Sequence, residues 1–153
     1  MGFIATMPVV FHLRRVSVSR RKVRETVFKI LFQIDVGKNM PDFFDNHWLE
    51  DESLSPKEKM QVKEILKKCL ENLETIDQLI QKFLHKWNIL RISGVDRSLL
   101  RLAVYEIKFE EDIPPVVSVN EAIELAKIYK GEESAKFING ILDSILKELA
   151  IEE

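Results

Sequence analysis

Apolar residues recur with the 3.6-residue period of an α-helix along most of this chain, and no comparable stretch alternates with the two-residue period of a strand. Only five glycines and five prolines occur among the 153 residues. All-β sandwiches and barrels need a turn every ~8–12 residues, so this small supply of turn residues argues against a large sheet. The sequence therefore predicts an all-α fold of six or seven helices, and its length suits one domain and excludes most multidomain enzymes.

Capping signals place the first two long helices. Ser19 is a candidate N-cap for a first helix that we expect to end at Gly37. Ser55, Pro56 and Glu58 have the order of a capping box with proline at the first helical position. A helix start with two reciprocal hydrogen bonds is therefore predicted at residue 56.

The remaining apolar stripes predict the other helices. A central helix is expected from Val95 to Phe109, because its apolar residues cover more than one face. Ser118 and Glu121 repeat the capping-box spacing before a helix that would end near Tyr129, and a last helix is expected at 132–150. The stripe over residues 62–87 fits either one bent helix or two. A short helix before residue 50 would carry the aromatic side chains of Phe43, Phe44 and Trp48.

A formal net charge of −2 hides an asymmetry along the chain. Residues 1–24 hold six of the 23 Lys and Arg residues and no acid, which leaves 17 basic residues to face 25 acidic ones. A basic arm on an acidic body is typical of proteins that bind polyanions. Residues 1–18 show no helical period that continues into the first helix. We therefore predict a disordered basic N-terminal extension over 1–18 and a single helical domain over 19–153.

Motifs for catalysis and metal binding are missing from the sequence. It contains no glycine-rich phosphate loop, no G-x-S-x-G elbow and no H-E-x-x-H pair, which argues against nucleotide hydrolysis and zinc proteolysis. The single cysteine, Cys69, lies on an apolar stripe, so we expect it in the core. No run of 18 apolar residues could cross a bilayer. These observations predict a cytoplasmic, non-enzymatic protein that needs no metal or cofactor and has no membrane partner.

The strongest positive signal is a basic cluster at the start of the first helix, formed by Arg20, Arg21, Lys22 and Arg24. Several of these cations can face one polyanion backbone, because residues three and four apart share a helix face. Cations at a helix N-terminus oppose the helix dipole, so their presence there needs another reason. Single-stranded RNA is favoured over duplex DNA, since no helix-turn-helix, finger or zipper signature accompanies the cluster.

Four segments carry a family resemblance: RRKVRETVFKILFQID, VDRSLLRLAVYEIKF, IPPVVSVNEAIELAKIY and ESAKFINGILDSI. Together, over residues 20–147, they resemble the NusB family of bacterial transcription antitermination factors. The resemblance implies an all-α fold of two packed helical subdomains. It also implies pairing with the ribosomal protein NusE, binding of the boxA segment of nascent RNA in ribosomal RNA operons, and action within the RNA polymerase antitermination complex.

The resemblance also implies site residues. RNA contacts would involve the basic cluster, and a second group near the start of the last helix: Glu133, Lys136 and Phe137. The NusE-facing surface would include Phe32, Val36 and Asp96. The segment YKGEES departs from the family, which places glycine directly after the aromatic residue. From the sequence itself, we expect Gly140 to reflect tight packing of the last helix.

Two other function classes stay open at this stage. A helical protein-binding or homodimerising module without RNA specificity would need an exposed apolar strip, which Phe32, Val36 and the aromatic residues near 43–48 could supply. Some family members are thought to hide their RNA surface in homodimers. An RNA-modifying enzyme subunit is the other class, and it lacks a cofactor motif in this sequence.

Overall fold

Six α-helices make up most of the part of the chain that the structure describes. The computed structural model describes the backbone of residues 2–37 and 49–152, and the side chains of residues 20–37 and 49–150. The helices are α1 (Gly2–Gly37), α2 (Pro56–Glu71), α3 (Leu73–Lys82), α4 (Gly94–Phe109), α5 (Pro115–Tyr129) and α6 (Glu132–Glu152). A 3₁₀ turn over Ile89–Arg91 precedes α4. No strand occurs within these ranges, and the predicted all-α fold is confirmed.

Helix α4 is the centre of the fold. It packs against each of the other five α-helices, with α1, α2 and α3 forming one group and α5 and α6 forming the other. Every residue from Asp96 to Glu106 is buried, including three charged side chains besides Asp96: Arg97, Arg101 and Glu106. The predicted central helix is therefore confirmed, but its burial takes charged groups into the interior as well as apolar ones.

The capping box at the start of α2 is confirmed. The Ser55 hydroxyl accepts a hydrogen bond from the backbone N–H of Glu58 at 3.1 Å, and the Glu58 carboxylate accepts one from the backbone N–H of Ser55 at 2.9 Å. The apolar stripe over residues 62–87 divides into two helices, because α2 ends at Glu71 and α3 begins at Leu73. Buried residues at the same spacing on both sides of Asn72 explain why periodicity alone left the break open.

Two predicted helix starts are wrong. Helix α1 begins at Gly2, so Ser19 lies inside a helix rather than at its start. The N-terminal extension expected over 1–18 stays a prediction. Extending an existing helix costs much less free energy than nucleating a new one. A serine that could cap a helix can therefore lie in the interior of a longer one. Helix α5 begins at Pro115, three residues before Ser118. Proline suits the first helical position, because the backbone N–H that it lacks would have no acceptor within the helix there.

Two predictions from the sequence are not tested by the described residues. The short helix with Phe43, Phe44 and Trp48 lies outside the described residues. The proposed boundary of the domain at residue 19 stays a prediction. Within the described ranges, no helix combines the length and apolar character that a membrane crossing requires.

Candidate nucleic-acid interface

The side chains of the four residues of the basic cluster lie in different environments. Arg24 is 4% exposed, and its guanidinium donates to both carboxylate oxygens of Glu106 on α4, at 2.8 and 2.9 Å. The Ser118 hydroxyl on α5 donates to the same carboxylate at 2.7 Å. Arg24 therefore joins α1, α4 and α5 in the interior, which corrects its assignment as an RNA contact.

The sequence did contain a sign of this burial. Arg24 lies three residues before Val27 and seven before Leu31, on the same apolar stripe. A cation in that position needs a buried acid as its partner, because an unpaired buried charge is very costly. Glu106 is 82 residues away in sequence, so the sequence alone could not identify it.

The other three basic residues lie at or near the surface. The Arg21 side chain is 68% exposed and binds the Glu121 carboxylate of α5 at 2.9 Å, and the hydrogen bond that it donates to Glu121 raises the pKa of Arg21. Arg20 pairs with the exposed Asp112 at 2.6 Å, and the Lys22 ammonium lies 3.4 Å from the backbone oxygen of Ser53. Arg20 and Lys22 contact exposed groups, and such contacts contribute little stability, so phosphate oxygens can compete for these two cations. Arg21 is held by the buried Glu121, but most of its side chain stays exposed.

The predicted RNA residues of α6 lie on its outer side. Glu133 and Lys136 are exposed, and Phe137 is half-buried against the hydrophobic core. Helix α5 contacts the surroundings of both groups, because it packs on α6 and binds Arg21 through Glu121. No direct hydrogen bond or ion pair joins the two predicted groups among the described side chains.

Gly140 lies on the same outer side of α6, and the expectation of tight packing there is wrong. A Cβ atom added to Gly140 would meet no neighbouring atom within 4 Å, and the residue is exposed. We therefore predict that Gly140→Ala raises the free energy of unfolding by about 0.8–1 kcal/mol, because alanine is the better helix former. Denaturant unfolding measures this.

Gly131 is the matched control for that substitution. It also has open space around it, but its φ of +127° is a conformation that L side chains rarely adopt. Gly131→Ala should therefore lower the free energy of unfolding by about 1 kcal/mol, although no side chain blocks the new methyl group. Loss of stability in Gly140→Ala would instead reveal a hidden steric constraint on α6.

The predicted partner surface lies at the other end of α1. Val36 is 55% exposed, and Phe32 is half-buried against the core. Both lie close to Gly94 at the start of α4, where an added Cβ atom would come within 3.0 Å of a Val36 methyl and 3.1 Å of the Phe32 ring. The missing side chain at Gly94 allows α1 and α4 to approach, so these two apolar residues lie beside the first turn of α4.

Asp96 does not lie on that surface. It is 6% exposed, accepts a hydrogen bond from the Ser134 hydroxyl, and lies 3.3 Å from the Lys130 ammonium. Its backbone N–H donates to the Ser93 hydroxyl, which caps α4. Asp96 thus ties the start of α4 to the α5–α6 corner, and its carboxylate is not exposed as the NusE-facing surface implied by the resemblance would require.

A second buried ion network holds the Val36 end of α1, and sequence reasoning missed it. Asp35 binds Arg97, and also Arg101 at 3.3 Å, while Arg101 forms two hydrogen bonds of 2.8 Å with Asp77 on α3. Arg97 also donates to the backbone oxygens of the preceding loop, at 2.9 and 3.1 Å. Two arginines four residues apart on a helix whose apolar residues cover more than one face were the available signal.

The single cysteine and the possible metal ligands form no reactive or metal site among the described residues. Cys69 is fully buried, and burial raises the pKa of its thiol to about 12, so its predicted position in the core is confirmed. Within the described ranges, no group of three or more His, Cys, Asp or Glu side chains is arranged to hold a metal ion.

Comparison with known proteins identifies close relatives. A family model described as the NusB family matches residues 21–147. The transcription antitermination protein NusB of Desulforamulus reducens is 43% identical over 129 residues, which cover 84% of this chain and 90% of that protein. The protein of the same name from Thermotoga maritima is 46% identical over 134 residues, covering 88% of this chain and 94% of that protein.

Solved structures show the same fold. A structure of T. maritima NusB has a TM-score of 0.77 and 45% identity, and covers 84% of this chain and 91% of that chain. A structure of the antitermination factors NusB and NusE in complex with dsRNA has a TM-score of 0.75 and 29% identity, and covers 85% of this chain and 97% of that chain.

Proposed function

The chain belongs to the NusB family, and on this premise we propose that it is a transcription antitermination factor that binds boxA-type single-stranded RNA together with the ribosomal protein NusE. Binding to ribosomal RNA transcripts would promote read-through by RNA polymerase as part of the antitermination complex. The role requires recognition and assembly but no catalysis, so we propose a non-enzymatic factor. It would act in the cytoplasm, where the transcript is made.

The observation that carries this proposal is the exposed cationic surface at the start of the family-matched region. Arg21 and Lys22 present their charged groups to solvent, and Arg20 is partly exposed beside them. Phosphate contacts by such side chains release counterions and supply much of the affinity of an RNA-binding protein. The similar structure of NusB and NusE in complex with dsRNA supports NusE and RNA as the two classes of partner.

Loss of these three charges should weaken RNA binding and its dependence on salt. We propose the combined variant Arg20→Ala, Arg21→Gln and Lys22→Ala, in which glutamine keeps a donor for the mostly buried Glu121. Three lost phosphate contacts should lower the slope of log affinity against log salt by about 2, at ~0.7 per contact on a single strand. Titration of labelled boxA RNA at several salt concentrations, with NusE present, measures this slope.

The matched control removes three exposed lysines elsewhere: Lys63, Lys67 and Lys86. It changes the net charge by the same amount, so a general effect of charge would lower the slope equally in both variants. An unchanged slope in the first variant would show that RNA binds away from the start of α1. A duplex of the same sequence tests the preference for a single strand.

A protein-binding or homodimerising module without RNA specificity is the second candidate. The exposed Val36 beside Phe32 favours it, because it offers an apolar contact that needs no nucleic acid. Sedimentation of the protein alone, with boxA RNA and with NusE separates the two candidates. Self-association together with equal affinity for boxA and a scrambled RNA would support the module.

A further inference from the structure

A cavity of about 130 Å³ lies between the Arg20–Val23 turn of α1, the middle of α2 and the end of α4. An engineered cavity of ~150 Å³ in another protein holds one benzene molecule, so this space suits a single six-membered ring. Its lining residues are Arg20, Val23, Gln61, Glu64, Ile65, Lys68 and Glu110. Both hydrogen-bond donors and acceptors face it, as well as two apolar side chains.

Gln61 gives the first indication of a ligand. Its side-chain oxygen is buried and accepts no hydrogen bond within the part of the chain that the structure describes. A buried acceptor without a donor destabilises the folded state, and native proteins contain few of them. Gln61 lines the cavity, so a ligand that brings an N–H group there would satisfy this oxygen once the side-chain amide turns toward the ligand.

Glu110 gives the second indication. Its carboxylate accepts a hydrogen bond of 2.8 Å from the hydroxyl of the buried Tyr105, which orients it. The other charged lining residues are already paired: Lys68 with Glu64 at 3.1 Å, and Arg20 with Asp112 at 2.6 Å. Glu110 is thus the one lining charge without an ion pair among the described side chains, and its half-buried carboxylate can accept a further hydrogen bond from an N–H donor.

We propose that this cavity receives one unstacked pyrimidine base of the bound RNA, and that it favours cytosine over uracil. The proposal rests on the proposed RNA-binding function. The exocyclic amino group of cytosine has two N–H donors, which match the Gln61 oxygen and the Glu110 carboxylate, whereas uracil has a carbonyl oxygen at that position.

Arg20 connects the cavity to the RNA surface. It lines the cavity and precedes Arg21 and Lys22 on α1, so a strand whose phosphates lie on those cations can turn a base inward beside it. Guanidinium planes stack on unpaired bases, and proteins that recognise single-stranded RNA bind bases turned out of the stack. The cavity would therefore add sequence specificity to an otherwise electrostatic contact.

The test replaces each cytosine of a boxA RNA by uridine in turn and measures binding to the complex of the protein with NusE. For the wild type, one replacement should lower the affinity about tenfold, as expected for one well-placed base contact. In Gln61→Met, which keeps the length of the side chain but removes the acceptor, that discrimination should disappear while the other positions keep theirs. Removing an unsatisfied acceptor should leave the fold at least as stable.

Gln78→Met is the matched control, because Gln78 is exposed on α3 and does not line the cavity. Discrimination that persists in Gln61→Met, or an equal loss of affinity for every RNA, would overturn the base pocket but leave the proposed function intact. A wild-type complex that does not bind boxA RNA would overturn the function itself. As a measurement independent of the variant, the side-chain amide resonances of Gln61 in the wild type should shift when RNA is added, and unshifted resonances would also overturn the pocket.

Discussion

Arg24→Ala should lower the free energy of unfolding by about 3–5 kcal/mol, the range expected when one partner of a buried ion pair is removed. The substitution leaves the Glu106 carboxylate in the interior with only the Ser118 hydroxyl as a side-chain donor. Denaturant unfolding followed by circular dichroism measures the effect. A change of this size would make Arg24 a residue that holds α1, α4 and α5 together.

The matched control is Arg20→Ala, which removes the same type of side chain four residues earlier. Its partner Asp112 is exposed, so the loss should be at most about 1 kcal/mol. Arg24→Met combined with Glu106→Leu removes both charges and should restore most of the stability, because apolar pairs of similar volume replace buried ion pairs well. If Arg24→Ala kept full stability but lost RNA affinity, the original assignment of Arg24 to the RNA surface would be right.

Local signals predicted helix ends only where no distant partner competed for the same side chains. Ser55 and Glu58 bind each other across the first turn of α2, as their spacing predicts. Ser118 and Glu121 have the same spacing, but the Ser118 hydroxyl donates to Glu106 and the Glu121 carboxylate accepts from Arg21. The two patterns share the spacing of serine and glutamate, and the tertiary contacts of Ser118 and Glu121 show why only the first of them is a capping box.

The candidate surfaces show the same limit. Exposure of Arg21 and Val36 agrees with the roles that the family resemblance implies. The partners of the buried Arg24 and Asp96 could not be predicted, because they are contributed by other helices. A charged residue on an apolar stripe can be recognised from periodicity, but whether it is paired inside or displaced to the surface depends on an acid or base far away in the chain.

Val36→Asp should lower the affinity for NusE at least 100-fold, which corresponds to about 2.7 kcal/mol and lies within the range of interface hot spots. An exposed apolar residue at the centre of an interface loses its contact when replaced, and a carboxylate buried there would lack a partner. The fold should change by no more than about 0.5 kcal/mol, because the side chain is exposed in the free protein. Calorimetric titration with NusE measures the loss.

Val36 is a sharper probe of this surface than Phe32 or Asp96. Phe32 packs against the core, and Asp96 ties α4 to Lys130 and Ser134, so variants at either position would disturb the fold as well as the surface. Ile128→Asp is the matched control, since Ile128 is an exposed apolar residue on α5. It should leave NusE affinity unchanged.

The two partner surfaces should be separable in the same variant. Val36 lies 15 residues after Arg21, which is about 22 Å along the axis of α1 at 1.5 Å per residue, so one helix can hold RNA and NusE at once. Val36→Asp should therefore keep the RNA affinity of the isolated protein but lose the strengthening of boxA binding by NusE. Normal NusE affinity in Val36→Asp, with a loss in Ile128→Asp, would place NusE on α5. If Val36→Asp lost as much affinity for RNA in the absence of NusE as it loses for NusE, the two partners would share one surface.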